Sequence, residues 1–187
     1  MENILGSSLR IDWCLQRFKM VIDDSVALYN SANQRCLRRN ADGNADSAFQ
    51  VSLDQMPKSW YWEWISLVDA GVDSAGRKQY ALYFRAFSKF LKAAALTGNA
   101  VTSSNVFQDP GVPADLTTGR FILVDAGKGE FAFYNTALRR FLRLKSDGTC
   151  DLGDVVASPD LLPSNWTWER FKIVCDSAYA ALYYPTN

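Results

Sequence analysis

An internal repeat constrains this 187-residue chain more than any other sequence feature. A block typified by Trp-Thr-Trp-Glu-Arg-Phe-Lys-Ile-Val occurs in four related copies, at residues 13–21, 60–68, 116–124 and 166–174. A second apolar block follows each copy, at residues 26–30, 80–84, 131–135 and 180–184. Self-similarity at a period of about fifty residues indicates an array built from one supersecondary unit.

A third block follows three of the second blocks at a constant offset, from Leu28 to Leu37, from Leu82 to Leu91 and from Phe133 to Leu142. Each third block leads into a turn dipeptide, Asp42-Gly43, Thr97-Gly98 or Asp147-Gly148. Such dipeptides supply the positive φ that tight hairpin turns require. We expect a short fourth strand after each turn, near residues 49–51, Val101 and residues 150–152.

The first block alternates as Trp-x-Trp-x-x-Phe-x-Ile, which is close to the period of two expected for a strand, with one slip that suggests a bulge. This alternation predicts that Trp62 and Trp168 lie in the core, with Trp60 and Trp166 partly exposed where the strand begins. Residues 84–96 are rich in Ala, Lys and Leu and locally favour a helix. Their alignment with the other repeats predicts a strand instead.

Four strands per unit and three units predict an all-β protein with a single β-trefoil domain over residues 1–187. The predicted units are 26–79, 80–130 and 131–184, with residues 1–25 as an N-terminal extension. The first and second blocks occur four times, so one copy, at 13–21 or 179–184, is surplus to a closed trefoil. We expect the surplus segment to extend the barrel or to exchange with a neighbouring molecule, which would give a homodimer.

These motifs resemble the fascin-like, actin-crosslinking family of β-trefoils. The similar elements are the strand Trp-Glu-Arg-Phe-Lys-Ile-Val at 168–174, an Ala-Leu strand at 81–82 and an aromatic-Leu strand at 90–91. The resemblance covers about residues 13–184, and it implies a trefoil fold and an actin-binding role. The Gln-x-Trp triplets of ricin-type lectins are absent, and trefoils also serve as lectins, growth factors and protease inhibitors.

Composition excludes several classes of function. Basic and acidic residues balance at 20 each, which argues against a partner of duplex nucleic acid. No apolar run is long enough for a transmembrane segment. The N-terminus lacks a secretory signal, which favours a cytoplasmic protein and leaves secretion open.

The chain offers little for catalysis or metal binding. It contains no His, so Ser-His and Cys-His nucleophile pairs are unavailable. Its four Cys, at 14, 36, 150 and 175, lack metal-ligand spacing and are expected to be reduced core residues. Glu63 and Glu169 lie beside Trp in the first block, where a structural role is favoured. We therefore expect no enzymatic activity and no cofactor.

Three groups of residues are candidates for ligand binding. The third blocks carry basic residues that a trefoil would gather at its hairpin end, where Asp42, Asp46 and Asp147 would neutralise part of the charge. Trp60 and Trp166 offer aromatic surface, and polar loops follow the second blocks. The candidates are Asn30, Asn33, Arg35, Arg38, Trp60, Lys89, Lys92, Asn135, Arg140, Arg143 and Trp166.

The sequence thus predicts a non-enzymatic binding protein. Carbohydrate recognition is favoured by the aromatic content and the repeated polar loops. Actin binding, implied by the resemblance and by the basic hairpin end, is the alternative, and a trefoil protease inhibitor is a lesser one. The expected partners are glycans or an acidic protein surface such as F-actin.

Overall fold

The fold consists of antiparallel strands joined by short turns. The computed structural model describes residues 25–47, 50–55, 60–94, 100–102 and 111–175. Its strands are β1 (Val26–Asn30), β2 (Arg35–Cys36), β3 (Arg38–Arg39), β4 (Ala45–Asp46), β5 (Ile65–Val72), β6 (Lys78–Phe84), β7 (Lys89–Ala93), β8 (Ala100–Thr102), β9 (Phe121–Gly127), β10 (Glu130–Asn135), β11 (Arg140–Leu144), β12 (Cys150–Val155) and β13 (Lys172–Cys175). The predicted all-β class is confirmed.

Helical structure in these segments is limited to single 3-10 turns. They lie at Leu53–Gln55, Arg85–Phe87, Thr117–Gly119 and Pro159–Leu161. The described part of the helix-like run, residues 84–94, contains one such turn and then strand β7, where the repeat alignment predicted a strand. Ser88 adopts a left-handed φ of 52°, which ends the 3-10 turn before a helix can propagate. None of the helices in the described part of the chain is long and apolar enough to cross a membrane.

Six strands pair in a closed ring. Sheet pairing runs from β13 through β1, β5, β6 and β9 to β10. The ring closes where Phe131 on β10 exchanges two backbone hydrogen bonds with Phe171, the residue before β13, at 2.7 and 2.8 Å. Closure leaves no unpaired edge in this layer, and such edges are a common site of aggregation.

Three junctions in the ring join one hairpin to the next by the same kind of antiparallel pairing. The junction pairs are Val26 with Ile65, Tyr80 with Phe121, and Phe131 with Phe171. At each junction, a residue at the start of a second apolar block (26, 80 or 131) pairs with a residue of a first block (65, 121 or 171).

A second layer of strands covers one end of the ring. β2, β7 and β11 pair with β1, β6 and β10, at equivalent registers that include Tyr29 with Cys36, Tyr83 with Phe90 and Tyr134 with Phe141. The last strands of the three hairpins, β4, β8 and β12, contact one another pairwise. These contacts bring the three hairpins together at one end of the molecule.

The core lies inside the ring and under the hairpins. It contains the residues at the constant offset in the sequence, namely Leu28, Leu37, Leu82, Leu91, Phe133 and Leu142, all fully buried. Cys36 and Cys150 are also buried, and neither thiol takes part in a disulfide bond. Burial, together with the nearby carboxyl group of Glu63, raises the pKa of Cys36 to about 12. The prediction of reduced core cysteines is confirmed for these two.

Two predicted strand positions were wrong. The fourth strand of the first unit is Ala45–Asp46 rather than residues 49–51, because the tight turn at Gly43 (φ 90°) returns the chain directly. The first-block strand starts at Ile65, after the slip in the alternation, so that slip marks the strand's beginning and not a bulge within it.

The surplus segments, 13–21 and 179–184, lie outside the described residues. Within the described chain, β1 pairs with β13, the C-terminal copy of the first block.

A chain truncated to residues 25–175 is therefore expected to keep the closed ring and to unfold cooperatively. Circular dichroism and a thermal melt would measure this, with light scattering to report the mass. A truncated chain without a cooperative transition would contradict the assignment of β13 as the strand that closes the ring.

Candidate functional site

An aromatic cluster lies on the surface just before β5. The ring of Trp62 packs edge-on against Tyr61 at a centroid distance of 6.0 Å, and it packs at a tilt of 55° against Phe87 at 5.8 Å. Tyr61 is 62% exposed. The prediction that Trp62 lies in the core was wrong, because the strand begins three residues later and Trp62 precedes it in a bend.

A charged pair lies next to this aromatic cluster. The Arg38 Nε donates to Asp46 Oδ1 at 2.8 Å, and the Arg38 Cζ lies 5.5 Å from the centroid of the Trp62 ring. Asp46 Oδ2 accepts a hydrogen bond from Asn40 at 2.9 Å. The Arg38 and Asp46 side chains remain 18% and 26% exposed, so both can still reach a ligand. We call Arg38, Asp46, Tyr61 and Trp62 the Trp62 site.

A second arginine–aspartate pair lies at the equivalent position of another unit. Arg143 donates to both oxygens of Asp151, at 2.7 and 2.9 Å, and Lys145 lies 3.3 Å from the same carboxylate. The Leu144 amide donates to the Trp168 carbonyl at 3.0 Å, as the Arg39 amide does to the Trp62 carbonyl at 3.4 Å.

Trp168 therefore lies beside the arginine-bearing strand, as Trp62 does. It is 36% exposed, so its predicted core position was also wrong. We call Arg143, Asp151 and Trp168 the Trp168 site.

A buried glutamate follows each tryptophan. Glu63 and Glu169 are 6% and 3% exposed. Burial raises the pKa of each carboxyl group, and Arg38 or Arg143 opposes the rise. At Glu169 the fit is tight, because a Cβ on Gly153 would lie 3.2 Å from Oε1.

Replacement of Glu169 by glutamine is expected to stabilise the protein at neutral pH. The folded state holds the carboxyl proton more tightly than the unfolded chain does. Stability therefore falls as pH rises from the ordinary value of 4.5 through the raised folded-state pKa. The advantage of Glu169→Gln should thus vanish at low pH.

Thermal melts from about pH 4, near the ordinary pKa of a glutamate, up to about pH 8 would measure this difference. Glu130→Gln, at the partly exposed start of β10, controls for the loss of one negative charge. Equal pH dependence in the wild type and Glu169→Gln would contradict the expectation.

The equivalent position in the remaining unit lacks the site. Lys92 occupies the position of Arg38 and Arg143 and pairs with Val101 rather than with an acidic residue. Gly119 occupies the position of the glutamates, and a Cβ there would lie 2.6 Å from the Leu91 carbonyl oxygen. Thr118 takes the place of the tryptophan. The constellation is therefore present twice in the described chain.

The asparagines predicted to bind ligand lie in the interior. Asn30 is fully buried, and its amide donates to the carbonyls of Thr167 and Arg170, both at 2.9 Å. Asn135 donates in the same way to the carbonyls of Thr118 and Arg120, at 3.0 and 3.2 Å. Both amide protons are used in each case, so these side chains hold the backbone together.

The other predicted residues are distributed over several environments. Asn33 is buried and donates to the Leu144 carbonyl at 2.7 Å. The Arg35 Nη1 lies 3.3 Å from the Ser47 hydroxyl, and the Arg140 Nη1 donates to the Gly153 carbonyl at 3.2 Å. Partly buried positions are occupied by Trp60, Lys89, Lys92 and Trp166. Of the predicted set, only Arg38 and Arg143 contribute to the Trp62 and Trp168 sites.

Comparison with known proteins adds no identity. The chain matches no protein-family model, and no curated protein matches its sequence.

Proposed function

We propose that this chain is a β-trefoil that binds carbohydrate, without catalysis, through the Trp62 and Trp168 sites. The observation that carries this proposal is the recurrence of a surface tryptophan beside a partly exposed arginine–aspartate pair.

Three features support the trefoil arrangement. The six-strand ring has three equivalent junctions, and β4, β8 and β12 meet at one end. Gln34, Ser88 and Arg139 adopt left-handed φ angles of 54, 52 and 54° at the same position in the three hairpins. A non-glycine residue with positive φ is uncommon, so its recurrence at one position favours a repeated unit.

The chemistry of the two sites suits a sugar ring. A pyranose has an apolar face that can pack on an aromatic ring, and an edge of hydroxyl groups that donate and accept hydrogen bonds. Trp62 offers the ring surface, and the Asp46 carboxylate has acceptor positions beyond those used by Arg38 and Asn40. Charge-assisted hydrogen bonds to Arg38 and Asp46 would fix the orientation of the hydroxyl groups.

A structural role accounts for only part of each site. The Arg38–Asp46 and Arg143–Asp151 pairs join neighbouring strands of a hairpin and contribute to its pairing. The two tryptophan rings lie outside the core and remain partly exposed, and exposed aromatic surface is typical of recognition sites. Binding explains the tryptophans together with the charged pairs.

Actin binding is the second candidate, favoured by the family resemblance and by the basic third blocks. Its electrostatic basis is weakened because Arg38, Arg143 and Lys145 are paired with Asp46 or Asp151. We therefore rank it below carbohydrate binding.

A glycan array tests the proposal. The labelled wild-type protein is expected to bind a restricted set of saccharides. Cosedimentation with F-actin at low salt tests the second candidate in parallel. An array without any bound glycan, together with recovery of the protein in the actin pellet, would reverse our ranking.

A further inference from the structure

A groove of about 500 Å³ lies beside the connection between β5 and β6. One wall is the β5–β6 connection with Asp73 and Arg77, and the other is the loop after β10 with Thr136 and Arg139. Arg120 also lines the groove. None of these residues belongs to either tryptophan site.

The length of the β5–β6 connection creates this groove. Residues 73–77 join β5 to β6, whereas only residues 128–129 join β9 to β10. Asp73 organises the longer connection, since its Oδ1 accepts hydrogen bonds from the amides of Ala75 at 2.9 Å and Arg77 at 2.8 Å. The wall is thus a defined turn and not an open loop.

The groove carries an excess of positive charge. Asp73 is the acidic residue of its lining, and its Oδ2 lies 2.8 Å from both Nε and Nη2 of Arg77. The charge of Asp73 is thus neutralised by Arg77. Arg120 donates to three backbone carbonyls, which carry no net charge. The Arg139 side chain is exposed and makes no ion pair or hydrogen bond with any residue in the described segments. Arg120 and Arg139 are therefore left without an acidic partner in the groove.

The Arg77, Tyr134 and Arg139 side chains all line this groove. Burial raises the pKa of Tyr134, and both arginines oppose this rise through their positive charge. Tyr134 itself lines the groove and donates to the Val156 carbonyl at 2.8 Å.

A neutral hydrogen-bond donor is oriented at the same place. The buried Gln79 donates through Nε2 to the Thr136 Oγ1 at 2.8 Å. No residue in the described segments accepts a hydrogen bond from the Thr136 hydroxyl, so its proton can be donated to a ligand. Gln79 thereby fixes the position of the Thr136 hydroxyl.

We propose that this groove binds an oxyanion, such as phosphate, sulfate or carboxylate, on a small ligand. Arg139 supplies the unpaired guanidinium, Arg120 adds positive charge that no acidic residue of the lining offsets, and Thr136 donates a hydrogen bond. Planar guanidinium groups suit such oxygens because they can offer two parallel N–H donors. The proposal is independent of carbohydrate binding at the tryptophan sites.

Binding of inorganic phosphate, sulfate and glucuronate, followed separately by amide NMR shifts, tests the proposal and identifies the preferred oxyanion. Saturable shifts at Arg77, Thr136 and Arg139 are expected for at least one anion. Arg139→Gln should weaken binding about tenfold or more, as loss of a charge-assisted contact does. Glutamine suits this backbone, because Gln34 has the same φ of 54° at the equivalent position.

Lys128→Gln is the matched control. Lys128 is an exposed cation with a left-handed φ of 56°, and it does not line the groove. Its replacement should leave binding unchanged. Equal weakening by Lys128→Gln and Arg139→Gln, or no saturable binding of any of the three anions, would overturn the proposal. Loss of both Trp62 and Trp168 should leave anion binding intact, so this test and the carbohydrate test can fail separately.

Discussion

Replacement of Arg170 by alanine is expected to lower the free energy of unfolding by about 3 kcal/mol or more. The Arg170 guanidinium donates to the carbonyls of Trp166 at 2.8 Å and Pro163 at 3.2 Å, and also to the Ala126 carbonyl. It thus joins the end of β9 to the segment that leads into β13. Alanine would leave partly buried carbonyls without a partner, which costs more than the hydrogen bonds themselves contribute.

Arg120 makes the same set of contacts one unit earlier. It donates to the carbonyls of Leu116 at 3.3 Å, Pro113 at 3.0 Å and Ala70 at 2.9 Å. Arg120→Ala should therefore destabilise the fold by a similar amount.

Urea unfolding of the two variants measures both effects, with Arg139→Gln as a control that also removes one arginine. Surface substitutions usually change stability by less than about 0.5 kcal/mol. A change of that size for Arg170→Ala would contradict the structural role.

The double variant Trp62→Ala, Trp168→Ala is expected to lose saccharide binding. Truncation of a central tryptophan at a binding site costs about 2 kcal/mol or more, which is on the order of 30-fold in affinity for each site. The fold should survive, because both rings lie outside the core and are in contact with solvent. Affinity for a saccharide identified on the array, measured by titration calorimetry, is the readout.

Leu161→Ala provides the matched control, since Leu161 is 58% exposed and lies in neither site. It should bind like the wild type. Retention of full affinity by the double variant, with an unchanged thermal melt, would place the saccharide elsewhere on the protein.

The all-β class could be predicted from the sequence because the residues of each unit carry local signals for strands and turns. The period of two, the turn glycines and the constant leucine offset all depend on local geometry, which repeats wherever the same strand is built. The residue at which the first-block strand begins could not be predicted from these local signals. Trp62 continues the apolar alternation although it precedes β5, so the pattern extended the strand too far.

The interior asparagines illustrate a different limit. Asn30 and Asn135 are the last residues of the strands β1 and β10, and in the sequence each looks like the first residue of a polar loop. Their burial depends on carbonyls of a segment distant in sequence, such as those of Thr167 and Arg170 for Asn30. The recurrence of asparagine at one position in two units was the available signal, because a polar residue repeated beside core positions often completes a hydrogen-bond network.

A further repeated motif has a structural role that the strand pattern did not predict. Val-Asp-Ala-Gly occurs at 68–71 and again at 124–127. In both copies the aspartate accepts a hydrogen bond from the glycine amide, at 2.9 Å for Asp69 and 2.8 Å for Asp125. The alanine between them presents the carbonyl that Arg120 or Arg170 binds. Each arginine lies about fifty residues after the alanine whose carbonyl it binds. This separation is close to the length of one repeat, which self-comparison of the sequence can detect.

The central claim, that one chain carries two saccharide sites, is tested most directly by the stoichiometry of binding. Titration calorimetry with a saccharide identified on the array should give two sites per chain for the wild type, and one site each for Trp62→Ala and Trp168→Ala. A wild-type stoichiometry of one or three, or an unchanged stoichiometry in either single variant, would contradict the account.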